Sequence, residues 1–494
     1  MKQSNSTLCA AVALRLYDDV ADRVADLIAR GSLRAGDRMP SVRALARQEH
    51  VSVSTVIQAY GQLEVRGLVE VRPQSGHFVR RAGTSLPEPR PARATTVPIK
   101  PAVAPLIATI YGAMRDPRVV NLGAASPSPE LLPTEKLARI LGQVAKTAGA
   151  IGMSYDPPPG CPQLRRLVAR RMTHLGCAVT ADEIVTTVGA MEALDIALRA
   201  AVKPGATVAI ESPAYYGLLM LVESLGIKVV EVPSHARTGM DLDALEDALA
   251  QHEIAAVIAI PSFANPLGSR MPDEAKARLV TLLAARSIPL IEDDIYGDLP
   301  FPAADGLDDR PRPAKAWDRD GNVILCSSFS KTIAPGYRVG WVAGGRYRDA
   351  IEQLKFAQTV CTPTLPQLAI ADLIETGGYD LHLRRLRRAL AAQVGRSREA
   401  IAACFPEGTR VSDPTGGFVL WVELPSGTSS IELHRRAFAR SISVAPGPIF
   451  SAKPRFANYL RVSCGLPWTP RVEAAIATLG KIACDLSGRR PSAA

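Results

Sequence analysis

From about Val119 to its end the chain alternates helical apolar patterns with short apolar runs, and this alternation restricts its fold more than any other feature. The runs Thr207–Ile210, Ala255–Ile260, Ile288–Ile291 and Val323–Cys326 read as buried parallel strands joined by helices. Hydrophobic residues make up 47% of the 494, which supplies a large core and excludes global disorder. In open α/β sheets of this kind ligands sit beyond the carboxyl ends of the strands. Chemistry is therefore expected just after each run.

The segment Ser327–Trp341 (SSFSKTIAPGYRVGW) follows the last of these runs. Lys331 is a candidate amine for Schiff-base chemistry, and Ser328, Ser330 and Arg338 offer two hydroxyls and a guanidinium to a dianionic phosphate. Taken alone, a lysine in a Ser/Gly-rich loop is more often a surface residue. The segment Pro289–Tyr296 (PLIEDDIY) places carboxylates past another strand. A pyridine cofactor acts as an electron sink only while its nitrogen is protonated, which requires a fixed carboxylate. Asp293 is the choice, with Glu292 and Asp294 as competitors, and Tyr296 stands three residues on. Asn265, in PSFANPLG, can reach the same ring oxygen as Tyr296, or can belong to a plain Asn-Pro turn. Thr186–Met191 (TTVGAM) leads into a helix, so Gly189, Ala190 and Met191 are expected to bind phosphate through their backbone N–H groups. Tyr215, or else Tyr216, can stack on a pyridine ring; core packing is the plain alternative for both.

The first part of the chain reads differently. About Tyr17–Ala29 carries apolar residues at helical spacing (Val20, Val24, Leu27, Ile28). Ser41 caps a short second helix, about Val42–Gln48, and Ser52 caps a third whose expected core face is Val53, Val56, Tyr60 and Leu63. Gly31 and Gly36 punctuate the stretch before, and Gly67 stands at the expected helix end. A hairpin of Leu68–Val71 and His77–Val79 around the turn Arg72–Gly76 completes the unit. Ser41–Leu63 has the form of a helix-turn-helix, in which Ser52, Ser54, Thr55 and Gln58 face outward, Arg43 and Arg47 suit phosphates, and the hairpin tip with Gly76 and His77 reaches a neighbouring groove. A small helical domain with a solvated polar face is the bland alternative.

Charge is consistent with a polyanionic partner. The net charge is +10, and Val12–Lys100 holds 14 Lys+Arg against 9 Asp+Glu, a net of +5 in under a fifth of the chain. An Arg-rich composition bias would give the same imbalance. Between the two parts, 82–118 begins as a Pro-rich stretch expected to stay extended and to hold the head at a distance. The eight cysteines show no C-x-x-C pair, and no run approaches the ~20 apolar residues of a membrane span, so a reduced, cytoplasmic, metal-free protein is expected.

Two resemblances sharpen this reading. The stretch G-x-L-x-x-G-D-R-M-P-S-V-R-A-L-A, then VSVSTVIQAY, then RPQSGHFV closely resembles the winged helix of the GntR family. It implies a bacterial transcription factor with Arg43, Arg47, Ser52, Ser54, Thr55 and Gln58 as DNA contacts and Gly76 and His77 at the wing. The ordered series of glycine loop, aromatic, Asn-Pro, Asp-x-x-Tyr, Ser-x-x-Lys and arginine resembles fold type I pyridoxal 5'-phosphate (PLP) enzymes of the aspartate aminotransferase class. That likeness implies an internal aldimine on Lys331, with Lys331 also the acid/base. It implies Asp293 on the pyridinium, Asn265 and Tyr296 on the phenolic oxygen, Ser328, Ser330 and Arg338 on the phosphate, and Tyr215 stacked. Tyr155, in SYDPPPG, resembles the tyrosine that reaches the partner subunit's phosphate, and Arg461, in YLRVS, the arginine that binds a substrate carboxylate. Ala264 departs from the pattern, standing where many aminotransferases have a polar or aromatic side chain.

Together the halves resemble the MocR subfamily. The implied architecture is a multi-domain chain: a winged helix-turn-helix at 12–81, a linker at 82–118, and an α/β fold type I PLP-dependent transferase at 119–488. The last divides into a large domain, about 145–345, with a mostly parallel seven-stranded sheet, and a small α+β domain, about 346–488 plus the start of the region. The implied protein is a head-to-tail homodimer that binds double-stranded DNA with two half-sites and responds to PLP or a small amine or amino acid; a working aminotransferase is the alternative.

Overall fold

The computed structural model describes residues 4–33, 37–65, 68–72, 76–79, 86–92, 97–102, 107, 116–302 and 310–491. Gly36, Gly67, the hairpin tip Pro73–Ser75 and the expected boundary at 81/82 lie outside the described residues. The chain divides into two compact units, one up to position 85 and one built from Leu86–Phe301 and 309–494.

The N-terminal unit has three helices, Ser4–Ala29, Val42–Gln48 and Val53–Val65, followed by an antiparallel hairpin of Val69–Arg72 and Gly76–Val79. Ser41 caps the second helix, its Oγ accepting from the Ala44 N–H at 3.2 Å. Val20, Val24, Leu45, Val56, Tyr60, Leu63, Val69 and Val79 form one core, and the Tyr60 hydroxyl donates to the Pro40 carbonyl at 2.7 Å. Two expectations are corrected. The first helix begins at Ser4 rather than near Tyr17, because Ala/Leu-rich CAAVALRL favours helix. Val53 is 46% exposed, because the buried stripe of the third helix is Val56, Ala59, Tyr60 and Leu63, which leaves Val53 at its edge.

The larger unit is centred on an eight-stranded sheet. In spatial order its strands are Ile184–Thr187, Gly340–Ala343, Val323–Ser328, Leu290–Asp293, Ala256–Ala259, Thr207–Ser212, Lys228–His235 and the two-residue Gly239–Met240. Pairing is parallel from Val323–Ser328 through Lys228–His235, and Gly340–Ala343 and Gly239–Met240 run antiparallel to their neighbours. Seven strands thus form the expected sheet, and a short hairpin return adds the eighth. The strand expected at Ile288–Ile291 runs on to Asp293, so its carboxylates are carried by the strand end itself. Four antiparallel strands, Arg410–Val411, Val419–Glu423, Tyr459–Ser463 and Ala445–Pro446, make a second sheet that packs with the helices Gly378–Cys404, Ser430–Phe438 and Pro470–Ser487. The short strand Val120–Asn121 pairs with Ile442–Ser443, tying the start of this region to its C-terminal part.

The Pro-rich stretch is not a free spacer throughout. The Pro87 carbonyl accepts from Val411 N–H at 2.9 Å, Arg90 N–H donates to Glu423 at 2.9 Å, and Ile99 exchanges two backbone hydrogen bonds with Val229. Leu86 packs on the core and Ile107 is 1% exposed. The apolar residues interspersed among the prolines dock as an extended strap, a role that composition alone does not reveal. No described helix is long and apolar enough to cross a membrane.

Candidate functional site

A cavity of about 230 Å³ opens where the strands of the large sheet end, lined among others by Tyr215, Tyr216, Asn265, Asp293, Tyr296, Ser330, Lys331 and Arg338. The Lys331 amine reaches into it and donates to the Ala125 carbonyl at 2.6 Å. Burial, with the Arg461 guanidinium nearby, brings this amine down to about 8, against the pull of Asp293. Burial pushes the Asp293 carboxyl up to about 7, opposed by the Ile295 N–H, which donates to it at 3.2 Å.

The structure separates the three adjacent carboxylates. Glu292 accepts from the Ala314 and Lys315 N–H groups at 2.7 and 3.0 Å, on the other face of the strand. Asp294 accepts from Arg310 at 2.6 Å, in a buried ion pair that also includes Asp298 at 2.5 Å. Asp293, between them, is the one of the three that lines the cavity.

Asn265 joins two elements of the site. Its amide nitrogen lies 3.4 Å from the Tyr296 hydroxyl, and its Oδ1 accepts from Arg461 at 3.1 Å. Tyr296 is buried, which raises its phenol. Arg461 is fully buried; it also donates to the Gly123 carbonyl, its Nε has no hydrogen-bond partner, and its guanidinium lies against the Tyr216 and Phe450 rings. Tyr215 and Tyr216 both line the cavity with ring centroids 4.9 Å apart.

At one end, the helix Ala190–Ala201 begins at Gly189, and Ala190 and Met191 line the wall with their N–H groups in its first turn. Arg338 donates to Ser330 Oγ at 3.3 Å and to the Val188 carbonyl at 3.1 Å, closing over Gly189. Gly189 has φ +82°, and a Cβ there would stand 2.3 Å from an Arg338 nitrogen. Such a cradle of N–H groups, hydroxyl and guanidinium suits a phosphate. Gly189→Ala should therefore weaken PLP retention at least about tenfold, from the cost of a left-handed alanine and a displaced arginine. Titrating apoprotein with PLP, followed by absorbance, checks this.

Arg461 stands behind the cavity wall, bonded to Asn265, and Ser328 and Tyr155 also lie outside it. Ser328 does not line the cavity; its Oγ accepts from the Ser330 N–H at 3.3 Å, shaping the loop instead. Tyr155 is 80% exposed and borders separate surface hollows with Ser154, so it takes no part in the cavity of its own chain. The carbonyls of Gly123 and Ala125, which face Arg461 and Lys331, were missed, because a backbone acceptor leaves no side-chain signal. Glu211, also missed, is buried behind the cavity, where its Oε2 accepts from the Ile260 N–H at 2.9 Å and burial pushes it up to about 8.

In the head, Arg43, Arg47, Ser52, Ser54 and Gln58 are exposed and Thr55 is half-buried. Ser52 Oγ lies 2.7 Å from both Ser54 Oγ and Thr55 Oγ1 and caps the third helix through the Thr55 N–H at 3.1 Å. Gly76 has φ +99°, and the half-buried His77 ring packs 4.7 Å from that of Tyr60.

Residues 118–477 match the family model "Aminotransferase class I and II", and residues 16–79 match "Bacterial regulatory proteins, gntR family". The chain belongs to the class I and II aminotransferase family and carries a gntR-family winged helix at its head, the arrangement of the MocR subfamily. Its relatives include the uncharacterized HTH-type transcriptional regulators YdcR and YjiR of Escherichia coli (strain K12). YdcR is 38% identical over 95% of this chain and 99% of its own length; YjiR is 37% identical over 94% and 98%. Among solved structures, the α-aminoadipate aminotransferase LysN of Thermus thermophilus, complexed with N-(5'-phosphopyridoxyl)-L-leucine, superposes with TM-score 0.70. It is 28% identical and covers 78% of this chain and 99% of its own. The fold is that of PLP-dependent aminotransferases.

Proposed function

We propose that this protein is a PLP-dependent, DNA-binding transcriptional regulator that senses PLP or a small amino compound in the cavity around Lys331. The observation that carries the reading is that Lys331 and Asp293 line one cavity, with a phosphate cradle of Ser330, Arg338 and a helix N-terminus beside them, in a chain that also has a gntR-family head. The fit is chemical as well as spatial. Asp293 offers a buried carboxylate to a protonated ring nitrogen, and Asn265 and Tyr296 offer hydrogen bonds to a phenolic oxygen. Bound PLP would supply an electron sink and a reactive aldehyde, which no side chain provides.

The chain's own residues do the rest. Lys331, lowered to about 8, is a neutral nucleophile in a useful fraction of molecules at neutral pH and can move a proton as its charge changes. Because the neutral form attacks, the rate of PLP capture should rise with pH and level off above about 8. Stopped-flow absorbance across pH checks this; a flat profile would contradict the assignment. Arg461 holds an effector's carboxylate by exchanging the Gly123 carbonyl for it. Tyr155, exposed, reaches the cofactor phosphate of a second copy in a head-to-tail homodimer. The winged helix at 12–81, the joining stretch 82–118 and the PLP domain at 119–488, divided near 345, are the functional parts. Arg43 and Arg47 bind phosphates; Ser52, Ser54, Thr55 and Gln58 of the third helix, with Gly76 and His77 of the wing, contact DNA, two heads reading two half-sites in the cytoplasm.

An effector regulates only if it binds the DNA-competent and incompetent forms with different affinity. An electrophoretic shift assay on the upstream DNA, with and without PLP and a panel of amino acids, tests the reading; an effector-dependent shift supports it. Absence of any shift, alongside rapid turnover of an amino donor, would favour the second reading, a working aminotransferase. That reading draws on the joint presence of Lys331 and Asp293 in the cavity wall, with Arg461 bonded to Asn265 of that wall and close enough to lower the Lys331 amine.

A further inference from the structure

The third helix of the head turns an apolar pair to solvent that its own fold does not use. Val53 and Ile57 are 46% and 57% exposed, although the same helix buries Val56, Ala59, Tyr60 and Leu63 completely. Four residues apart, they lie one above the other on one face. Gly61 continues that face without a side chain, and nothing lies within 4 Å of the place its Cβ would take. The face is therefore open to a close approach.

The surroundings indicate what covers it. Arg43 and Arg47 on the second helix and Ser54 and Gln58 on the same helix as the pair are exposed, so the helix-turn-helix that carries the apolar strip also offers cations and hydrogen-bonding groups that suit a polyanion. The hydroxyls at the helix start are occupied with one another: Ser52 bonds to Ser54 and Thr55 and caps the helix. Val53, Ile57 and Gln58 project beside them from the first two turns, where a recognition helix meets base edges. In a major groove only thymine presents a methyl group, at C5, whereas cytosine has a hydrogen at C5 and an amino group on the neighbouring C4. An aliphatic side chain has no acceptor for that amino group and would strip it of water without return.

Resting on the DNA-binding reading above, we propose that Val53 and Ile57 are specificity-determining residues that recognise the 5-methyl groups of thymines in each half-site. Gln58, next to them, supplies the accompanying hydrogen bonds to an adjacent base edge.

The test uses the full-length protein. Binding sites are selected from a random-sequence duplex library, and each thymine of the selected duplex is then replaced in turn by deoxyuridine, which lacks only the methyl. The wild type should lose about fourfold in affinity at one or two thymines per half-site, the equivalent of one buried carbon at ~0.8 kcal/mol. Val53→Ala and Ile57→Ala should each erase the thymine–deoxyuridine difference at its own position. Neither should change the salt dependence, because the phosphate contacts remain. Both side chains are exposed, so the thermal transition of the variants should match that of the wild type. Selected duplexes that tolerate every deoxyuridine, or discrimination that survives in the double variant, would overturn the proposal while leaving DNA binding standing. Recovery of no duplex at all would overturn the DNA-binding reading itself.

Discussion

Lys331→Ala should abolish covalent capture of PLP. After incubation with PLP and reduction with borohydride, the wild type should carry one stable adduct per chain on the peptide containing Lys331, and the variant none. The effect is all-or-none because, of the residues lining the cavity, Lys331 is the one that supplies a primary amine. The fold should survive. Lys331 makes one hydrogen bond, to the Ala125 carbonyl, and removing a buried amine also removes its desolvation cost. An adduct of equal yield in the variant would place the chemistry on another lysine.

The second large effect distinguishes two neighbouring aspartates. Asp293→Asn should leave the fold intact, since the Ile295 N–H that donates to it can still be accepted by an asparagine oxygen. It should weaken PLP retention by a hundredfold or more, because losing one partner of a buried charge pair costs about 3 kcal/mol. Asp294→Ala should do the reverse. It leaves Arg310, 10% exposed, with Asp298 alone, and breaking such a pair costs about 3 kcal/mol of stability. Denaturant titration and PLP titration of both variants should therefore give opposite patterns. If Asp294→Ala lost PLP affinity and Asp293→Asn lost stability, the assignment of the pyridinium partner would be exchanged.

This pair also shows how far the sequence was legible. The apolar runs located the strands and placed the chemistry at their ends, and period-2 alternation means that only one of three consecutive side chains points its own way. Which one faces the cavity depended on partners at Ala314, Lys315 and Arg310, sixteen or more residues downstream, which no local pattern announces. Motifs whose side chains act directly, such as Asn265, Lys331 and Arg338, were visible for that reason. The carbonyls of Gly123 and Ala125 were not, because every residue has one.

In the head, helical spacing found the core but misassigned Val53, since a stripe three residues wide and one four residues wide predict the same Val56, Tyr60 and Leu63. Composition alone makes the Pro-rich stretch a detached spacer. Its docking depends on Pro87, Arg90 and Ile99 meeting the edges of two sheets, a match that exists only in three dimensions. Tyr155 stands out as exposed in a single chain, in keeping with a role that would need a second copy.

The central claim is that occupancy of Lys331 is communicated to the winged helix. Its most direct test is fluorescence anisotropy of a labelled selected duplex, titrated with dimer-range concentrations of full-length protein, with and without PLP, for the wild type and Lys331→Ala. The account predicts that PLP shifts the wild-type affinity and leaves that of Lys331→Ala unchanged. Equal shifts in both proteins, or none in either across PLP and the amino-acid panel, would contradict it.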